Sequence, residues 1–420
     1  MTMLDLNFIR QNPDKIKTNN QIRKCEVDVD DILKLDAARR ELVSKIDSLR
    51  AALNQKSKSK PEAKEIASLK SLGEKIKKLE AKLKSIEDDW RDLLIQLPNI
   101  THSSVPVGQD ETGNVVVKTW GKVPKFTFPP QEHWQLGERL DLIDMERGAK
   151  VSGARFWYLK NDLVMLEFAL IQYAAQFMRD KGFIPMLVPI LVRERAMFGT
   201  GFFPADENEI YQVNSEEEKM YLIGTSEVPL ASYHMDEVLD VADEPLKYFG
   251  FSTCFRREAG AAGKDMRGII RGHQFDKLEM LVFCNETDSW SIHEEMLKIA
   301  EKFWQSLKIP YQVLNMCTGD IGAPNAKKYD IEGWLPGQGK YREVASCSND
   351  TDFQARRLGI KYAGKDGNKK FVHTLNNTVC ALGRTMVAIM ENYQQPDGSI
   401  EIPKVLRVWM GGRSKISKSA

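Results

Sequence analysis

The spacing of apolar residues divides the chain near residue 100. Between residues 31 and 97, apolar side chains recur every three or four residues in two separate series, and Trp90 is the one aromatic residue. This heptad-like pattern predicts two long amphipathic helices that pack along a shared apolar seam. The polar stretch between the two series contains Pro61, which cannot continue a helix. The pattern therefore predicts an antiparallel helical hairpin over 31–97.

After a loop-like stretch around 98–112, the pattern changes to strands interspersed with helices. We predict strands over 248–258, 271–284, 341–347 and 370–375, and helices over 162–181, 290–307 and 379–393. No repeated βαβ glycine fingerprint accompanies them, which favours an α+β fold with an antiparallel sheet. The predicted domains are a helical arm at 1–100, a linker at 101–112, a second domain at 113–412 and a basic tail at 413–420.

The length and net charge of the chain restrict the number of domains and the kind of nucleic-acid contact that we expect. A chain of 420 residues usually forms two or more domains. The net charge of +1 gives no basic signature for nucleic acid over the whole chain, so any RNA contact needs a local basic cluster. Such a cluster lies at the hairpin tip and consists of Lys56, Lys58, Lys60 and Lys64. A basic tip suits a phosphate backbone, but a spacing or dimerising coiled coil with solvated lysines explains it equally well.

The cysteines and the N-terminal sequence bear on location. The six cysteines are scattered without a CxxC pair, which is typical of reduced thiols in a cytosolic protein and argues against a zinc ribbon. The start of the chain shows no apolar segment of a secretory signal, and no apolar run reaches the length of a membrane span. We predict a cytoplasmic protein with no membrane partner.

The stretch 249–283 is the most informative for chemistry, because it predicts a strand, a long loop and a second strand. Alternation places Arg256 and Glu258 on one face of the first strand, and Phe275, Lys277 and Glu279 on one face of the second. Charged groups inside a sheet are costly unless ion pairs or a ligand use them. Two interpretations follow from the pattern: a ladder of cross-strand ion pairs, or a binding site.

The same stretch resembles motif 2 of class II aminoacyl-tRNA synthetases. Residues 181–189 and 382–384 resemble motifs 1 and 3 of that class. Further segments narrow the resemblance to the seryl-tRNA synthetase family, of the bacterial and eukaryotic standard type: 224–227, 273–279, 332–357 and 375–385. With the N-terminal hairpin, the resemblance covers nearly the whole chain. It implies a class II antiparallel sheet flanked by helices, preceded by a coiled-coil arm.

The resemblance also implies an activity and its residues. Serine would be activated by ATP with Mg²⁺ and transferred to serine tRNA, and selenocysteine tRNA is a further candidate substrate. Catalytic roles would fall to Arg256, Arg384 and Glu279. Serine would contact Thr225, Ser226, Glu227, Arg256, Glu279, Asn376 and Thr378. ATP would contact Arg256, Arg257, Glu258, Arg271, Phe275, Glu343, Val344, Ala345, Ser346 and Arg384. Magnesium would be held by Glu343 and Ser346, tRNA by the four lysines at the tip, and a homodimer would form through the motif 1 region.

Two positions depart from the family's usual pattern. Ala345 stands where the family usually has serine, and Asp350 where it usually has cysteine. The segment 415–419 resembles the KMSKS signature of class I synthetases, but the chain lacks the HIGH motif that accompanies it. We predict that this segment is a disordered basic tail.

Three alternatives compete with the synthetase. An amino acid:carrier-protein ligase shares the catalytic domain but lacks a long arm. An inactive RNA-binding paralogue would not be expected to keep Arg256, Glu279 and Arg384. A purely structural coiled-coil protein leaves the residues after 100 unexplained.

Overall fold

The structure is a computed structural model that describes residues 4–56, 63–214, 218–259, 267–365 and 367–418; side chains are described from residue 67 in the second long helix. The chain divides into two compact units, Met1–Ile100 and Thr101–Ala420. The first unit contains α1 (Leu6–Gln11), α2 (Pro13–Ile22), α3 (Val29–Lys56) and α4 (Ala63–Leu94).

Helices α3 and α4 pack along each other, which confirms the predicted hairpin. Two ion pairs give the direction: Arg39 pairs with Glu87 at 3.1 Å, and Arg50 with Glu80 at 2.7 Å. Since the partner's number falls as the arginine's number rises, the helices are antiparallel. Arg39, the one polar residue in the apolar series of α3, also lies with its guanidinium 5.2 Å from the centre of the Trp90 ring. Its side chain therefore covers apolar surface while its charge is paired.

The second unit is built on a sheet of eight strands within the described residues, in the order β1-β11-β12-β13-β16-β10-β9-β4. All neighbours are antiparallel except β4 and β9. The strands are β1 (Val115–Trp120), β4 (Ile184–Leu187), β9 (Leu246–Phe255), β10 (Gln274–Cys284), β11 (Tyr311–Asn315), β12 (Lys327–Leu335), β13 (Lys340–Asn349) and β16 (His373–Ala381). The fold class predicted from the sequence is confirmed.

Shorter strands lie around this sheet: β2 (Ile143–Asp144), β3 (Tyr158–Leu159), β5 (Leu191–Arg193), β6 (Gln212–Asn214), β7 (Met220–Leu222), β8 (Val238–Leu239), β14 (Lys361–Ala363), β15 (Lys369–Phe371), β17 (Ile400–Glu401) and β18 (Lys415–Ile416). The helices of this unit are α5 (His133–Arg139), α6 (Met145–Ser152), α7 (Asp162–Arg179), α8 (Glu194–Thr200), α9 (Glu227–Ser232), α10 (Ser289–Ser306), α11 (Phe353–Leu358) and α12 (Leu382–Asn392). Short 3₁₀ helices span Glu111–Gly113, Glu207–Glu209 and Lys404–Met410.

The two faces of strand β10 meet different surroundings. Leu278, Met280 and Val282 point into the main core, which α7, α10 and α12 complete. On the opposite face, Leu281 and Phe283 lie in a second apolar cluster with residues of α9 and α11. Glu279 precedes them on that same face, and Lys277 precedes Glu279. This face is therefore apolar at one end and polar at the other.

Several sequence-based expectations need correction. The helix predicted from 379 begins at Leu382, because β16 continues to Ala381, and the strand predicted over 370–375 is divided between β15 and β16. The expectation of a disordered tail is wrong for β18, which pairs with β17 and fully buries Ile416. Residues 419–420 lie outside the described residues.

The segment predicted as a linker, 101–112, belongs to the second unit. In it Val105 is buried, and the backbone N–H of Gly108 donates to the Thr318 hydroxyl at 3.2 Å. The six cysteines are free thiols. None of the described helices combines the length and apolar character needed to cross a membrane.

Candidate active site

The site lies on the polar half of the sheet, and two β-bulges determine which side chains face it. Between β12 and β13, Asp330 pairs with Ser346 and Ile331 with Ala345, but Glu332 pairs with Glu343. Val344 is the extra residue, and like Ala345 it packs in the main core. The bulge thus allows Glu343 and Ser346, which are three positions apart, to share the polar face.

The second bulge lies between β10 and β16. Leu278 pairs with Cys380, and the next residue, Glu279, pairs with Thr378, so that Val379 is extra. Val379 and Cys380 both lie in the main core. Glu279 and Thr378 face each other on the polar side, where the threonine hydroxyl donates to Glu279 Oε2 at 3.3 Å.

These strands form the floor of a cleft with an empty volume of about 640 Å³, a size common for small-molecule sites. Its lining includes nine of the ten residues predicted for ATP: Arg256, Glu258, Arg271, Phe275, Glu343, Val344, Ala345, Ser346 and Arg384. The tenth, Arg257, is exposed and does not line the cleft; its backbone N–H donates to the Glu209 carbonyl at 2.8 Å.

Two arginines face the cleft from different elements. Arg256 follows β9; its Nε donates to the Gly224 carbonyl at 3.3 Å, and its guanidinium lies 5.4 Å from the centre of the Phe275 ring. Arg384, in the first turn of α12, pairs with Glu343 at 3.2 Å and also donates to the Glu343 carbonyl at 3.0 Å. Burial disfavours the charge of Glu343, but the cations Arg384, Lys328 and Arg256 outweigh it and lower its pKa to about 2. The carboxylate therefore stays ionised.

The segment after residue 266 forms another wall of the cleft. Glu258 has a positive φ of 52° and accepts from Arg271 at 2.7 Å. Ile269 and Ile270 line the cleft beside them. The backbone N–H of Ile269 donates to His133 Nε2 at 3.1 Å, which fixes the returning end of the loop.

His133 is itself fixed by the last helix. Its Nδ1 lies 3.1 Å from Glu391 Oε1, which also accepts from the His133 backbone N–H at 3.0 Å. Because Nε2 accepts from Ile269, Nδ1 carries the proton and donates to Glu391. The loop wall is thereby tied to α12, which also carries Arg384.

Of the residues predicted to bind serine, Arg256 and Thr378 line the cleft, and Glu279 lies in contact with Thr378. Glu279 is 2% exposed and forms an ion pair with Lys277 in addition to its contact with Thr378. Thr225 is buried, and its hydroxyl accepts from the Glu227 backbone N–H at 3.2 Å. A carboxylate beside hydroxyl groups is a suitable recognition set for an ammonium and a small hydroxyl group.

Three of the predicted serine residues lie deeper. The Ser226 hydroxyl is 2.7 Å from that of Ser252, and Glu227 Oε1 accepts from Gln354 at 2.8 Å. Burial, with the nearby charges of Asp350 and Glu279, raises the pKa of Glu227 to about 8. The Asn376 amide donates to Asp350. The contacts of Ser226 with Ser252 and of Glu227 with Gln354 hold these side chains in place.

Sequence reasoning missed several residues that line the cleft: Ile269, Ile270, Gly272, Lys277, Ala381 and Gly383. For Lys277 the signal was present, since alternation placed it on one face with Phe275 and Glu279. For Ile269 and Ile270 no local pattern distinguished them from core residues. Of the lysines at the hairpin tip, Lys56 is exposed at the end of α3. Lys58 and Lys60 lie outside the described residues, as does the side chain of Lys64.

Comparisons with known proteins identify the family of the chain. Residues 3–101 match the family model of the seryl-tRNA synthetase N-terminal domain, and residues 211–393 match that of the tRNA synthetase class II core domain (G, H, P, S and T). The chain is 44% identical over 421 residues to a serine–tRNA ligase of Thermodesulfovibrio yellowstonii, a match that covers 97% of this chain and 99% of the relative.

Solved structures are similar over the same length. The crystal structure of seryl-tRNA synthetase from Pyrococcus horikoshii complexed with ATP is 42% identical, with a TM-score of 0.92, and the match covers 99% of this chain and 100% of that one. Cytoplasmic serine–tRNA ligase from Naegleria fowleri, in complex with AMP, is 36% identical, with a TM-score of 0.89 and 99% coverage of both chains.

Proposed function

The chain belongs to the seryl-tRNA synthetase family, and we propose that it activates serine with ATP and transfers the seryl group to the 3′-terminal ribose of serine tRNA. The observation that carries the proposal is a single cleft lined by the guanidinium groups of Arg256 and Arg384, the ring of Phe275 and the carboxylate of Glu343. The N-terminal match over 3–101 disfavours the carrier-protein ligase, which lacks the arm, and the structural coiled-coil protein. The complete set of charged groups disfavours an inactive paralogue.

The chain's part in activation is positioning and charge neutralisation. Phe275 stacks on the adenine ring, and Glu258 accepts from the adenine amino group. Arg256 contacts the α-phosphate, where the serine carboxylate attacks, and Arg384 contacts the departing phosphates. No side chain acts as a nucleophile, so the rate gain rests on fixed geometry and on preformed positive charge.

Glu343 and Ser346 fit a magnesium ion that enters with ATP. Magnesium prefers hard oxygen ligands and usually takes one or two carboxylates together with substrate phosphates. The bulge at Val344 turns the Glu343 carboxylate and the Ser346 hydroxyl to one face, and the carboxylate is ionised because of its cationic neighbours. The ion would neutralise phosphate charge; Glu343 and Ser346 would hold it beside Arg384.

Serine is held by the buried end of the cleft. Thr225 and Glu279 receive its ammonium, and Thr378 with Glu279 receives its hydroxyl. The contact between Thr378 and Glu279 supports this assignment, because the two groups already share one polar site. Lys277 forms an ion pair with Glu279 beside this site.

The arm formed by α3 and α4 binds serine tRNA. Its exposed Lys56 and the neighbouring lysines at the tip supply charge for the phosphate backbone. Selenocysteine tRNA is a second candidate, because contacts with the phosphate backbone do not depend on nucleotide sequence.

Two copies of the chain form a homodimer through the motif 1 region. Strand β4 is an edge strand that pairs with β9 alone among the described residues, and its Ile184 and Leu187 are exposed. Phe168 and Met165 on α7 are exposed as well. Exposed apolar side chains beside an unpaired strand edge are typical of a surface that another chain covers. We place the protein in the cytoplasm, consistent with its free thiols.

Serine-dependent exchange of pyrophosphate into ATP, followed by charging of purified serine tRNA, tests the proposal. We expect both reactions, and selenocysteine tRNA can be offered as acceptor in the same assay. Absence of serine-dependent exchange would refute the proposal. Pyrophosphate exchange without charging would support the proposed activation of serine and refute the proposed transfer to serine tRNA.

A further inference from the structure

Asp350 is fully buried directly after β13, behind the proposed serine pocket. Its Oδ1 accepts from Asn325 Nδ2 at 2.6 Å, and its Oδ2 accepts from Asn376 Nδ2 at 3.1 Å. Asn325 is held in turn, because its Oδ1 accepts from the Gly322 backbone N–H at 3.1 Å. A buried carboxyl is costly unless its oxygens have partners, and here the partners connect the loop before β12 to β16.

The contact with Asp350 fixes the orientation of the Asn376 amide. An amide presents two donors at Nδ2 and an acceptor at Oδ1, whereas an ionised carboxylate only accepts. Nδ2 of Asn376 therefore faces Asp350, and Oδ1 points away from it. In the described part of the chain, no residue donates a hydrogen bond to that Oδ1.

The strand register places the Asn376 side chain on the face of the sheet that carries the proposed serine residues. Asn376 precedes Thr378 by two residues on β16, so both side chains lie on the polar face. Its cross-strand neighbours are Ser348 and Leu281. Serine carries donors at its ammonium and its hydroxyl, and an amide oxygen accepts from either.

Neighbouring charges agree with a pocket for a cation. Glu227 and Glu279 are the other carboxylates of this region, and Lys277 is the cation next to Glu279. Burial raises the pKa of Asp350 to about 7, although its two amide hydrogen bonds oppose the rise. An arriving ammonium favours the ionised form of such a group.

We propose that Asp350 is a positioning residue of the amino-acid pocket, which acts through Asn376 by keeping the oxygen of its amide directed toward serine. The inference rests on the proposed function. It assigns a role to a position at which this chain departs from its family's usual residue.

The variant Asp350→Asn preserves shape and changes one atom. The Asn325 amide still needs an acceptor at Oδ1, so the new Nδ2 faces the donor of Asn376. Two facing donors are unfavourable, and the Asn376 amide turns over to present Nδ2 to serine. We expect the KM for serine to rise about tenfold in pyrophosphate exchange, the ratio for one lost hydrogen bond. The KM for ATP should change less than twofold.

The double variant D350N/N376D reverses the polarity of the contact. Asn at 350 then donates to the carboxylate at 376, whose second oxygen again faces the pocket as an acceptor, with the total charge unchanged. We expect the serine KM to return to within about threefold of the parent. A double variant no better than Asp350→Asn would overturn the proposal.

Two further variants distinguish an effect of Asp350 through Asn376 from a general effect on folding. In an Asn376→Ala background, Asp350→Asn should not change the serine KM further; an additional increase would contradict action through Asn376. The matched control is Asp352→Asn, which removes a carboxylate two residues away that pairs with Arg356 at 2.7 Å. It should keep the parent's serine KM. If the parent itself shows no serine-dependent exchange, the proposed function fails; if the parent is active and Asp350→Asn keeps its serine KM, this inference alone fails.

Discussion

Arg256→Ala separates what this side chain does for the fold from what it does for the reaction. The described contacts of the guanidinium are one hydrogen bond to the Gly224 carbonyl at 3.3 Å and the approach to the Phe275 ring at 5.4 Å. A hydrogen bond contributes about 1 kcal/mol net, and a partly exposed cation–π contact about 0.5–1 kcal/mol. The free energy of unfolding should therefore fall by only about 1–2 kcal/mol.

The expected loss of activity is larger. If Arg256 donates to charge that develops on the α-phosphate, its removal should lower kcat of serine activation by about 10²–10³-fold, which corresponds to roughly 3–4 kcal/mol of transition-state stabilisation. Pyrophosphate exchange measures this step without tRNA, and thermal unfolding measures the stability of the same samples.

Arg356→Ala is the matched control for this comparison. Arg356 also lies over an aromatic ring, 4.7 Å from the centre of Phe371, and pairs with Asp352 outside the cleft. The Arg356→Ala variant should lose about as much free energy of unfolding as Arg256→Ala, but its rate of pyrophosphate exchange should equal that of the parent. If Arg256→Ala retained exchange within a few-fold of the parent, or if the two variants lost activity equally, the assignment of the α-phosphate contact to Arg256 would be wrong.

Three further predictions follow from the same structure. The parent should reject alanine by about 10⁴ in kcat/KM relative to serine, because polar groups built to bind the hydroxyl would be left unpaired; comparable values for the two amino acids would refute those assignments. Replacing 31–97 with a short Gly/Ser linker should leave exchange nearly intact and abolish charging of tRNA, and Lys56→Ala should flatten the log–log salt dependence of tRNA binding by about 0.7–0.9; normal charging without the arm would make the hairpin a spacer. Gly268→Ala should raise the KM for ATP and lower the thermal midpoint, since a Cβ there would lie 1.9 Å from His133 Nε2 at a φ of +82°. Gly412→Ala, at a φ of +80° with open space around it, isolates the backbone cost, and equal effects of the two would exclude the clash.

Local sequence patterns were sufficient to predict most of the helices and strands and one face of the site. The heptad series gave the hairpin, and alternation placed Phe275, Lys277 and Glu279 together on β10. The resemblance supplied the ATP residues, and nine of the ten line one cleft. Arg257 does not, because the chain turns after β9 and directs its side chain to the surface.

The bulges and the long-range pairings could not be predicted. Val379 and Cys380 are consecutive apolar residues, a pattern that favours a helix, and only the extra residue in β16 explains why a strand buries both. The same holds for Glu343 and Ser346, whose spacing of three violates strict alternation. Ile416 stands alone among polar residues, and its burial depends on β17, which is remote in sequence.

The enclosure of β10 by packed side chains on both faces has a consequence for hydrogen–deuterium exchange. From Lys277 to Cys284 every residue of this strand is buried, and the ladder is paired on both sides by β9 and β16. Its amide protons should exchange only through opening of the whole second unit, with or without bound nucleotide. The protection that ATP confers should instead appear at the cleft wall that contains Ile269 and Ile270, which lies outside the strands of the sheet. The floor of the cleft would then be as rigid before the substrate arrives as after, and the fluctuations that admit ATP would be confined to one wall.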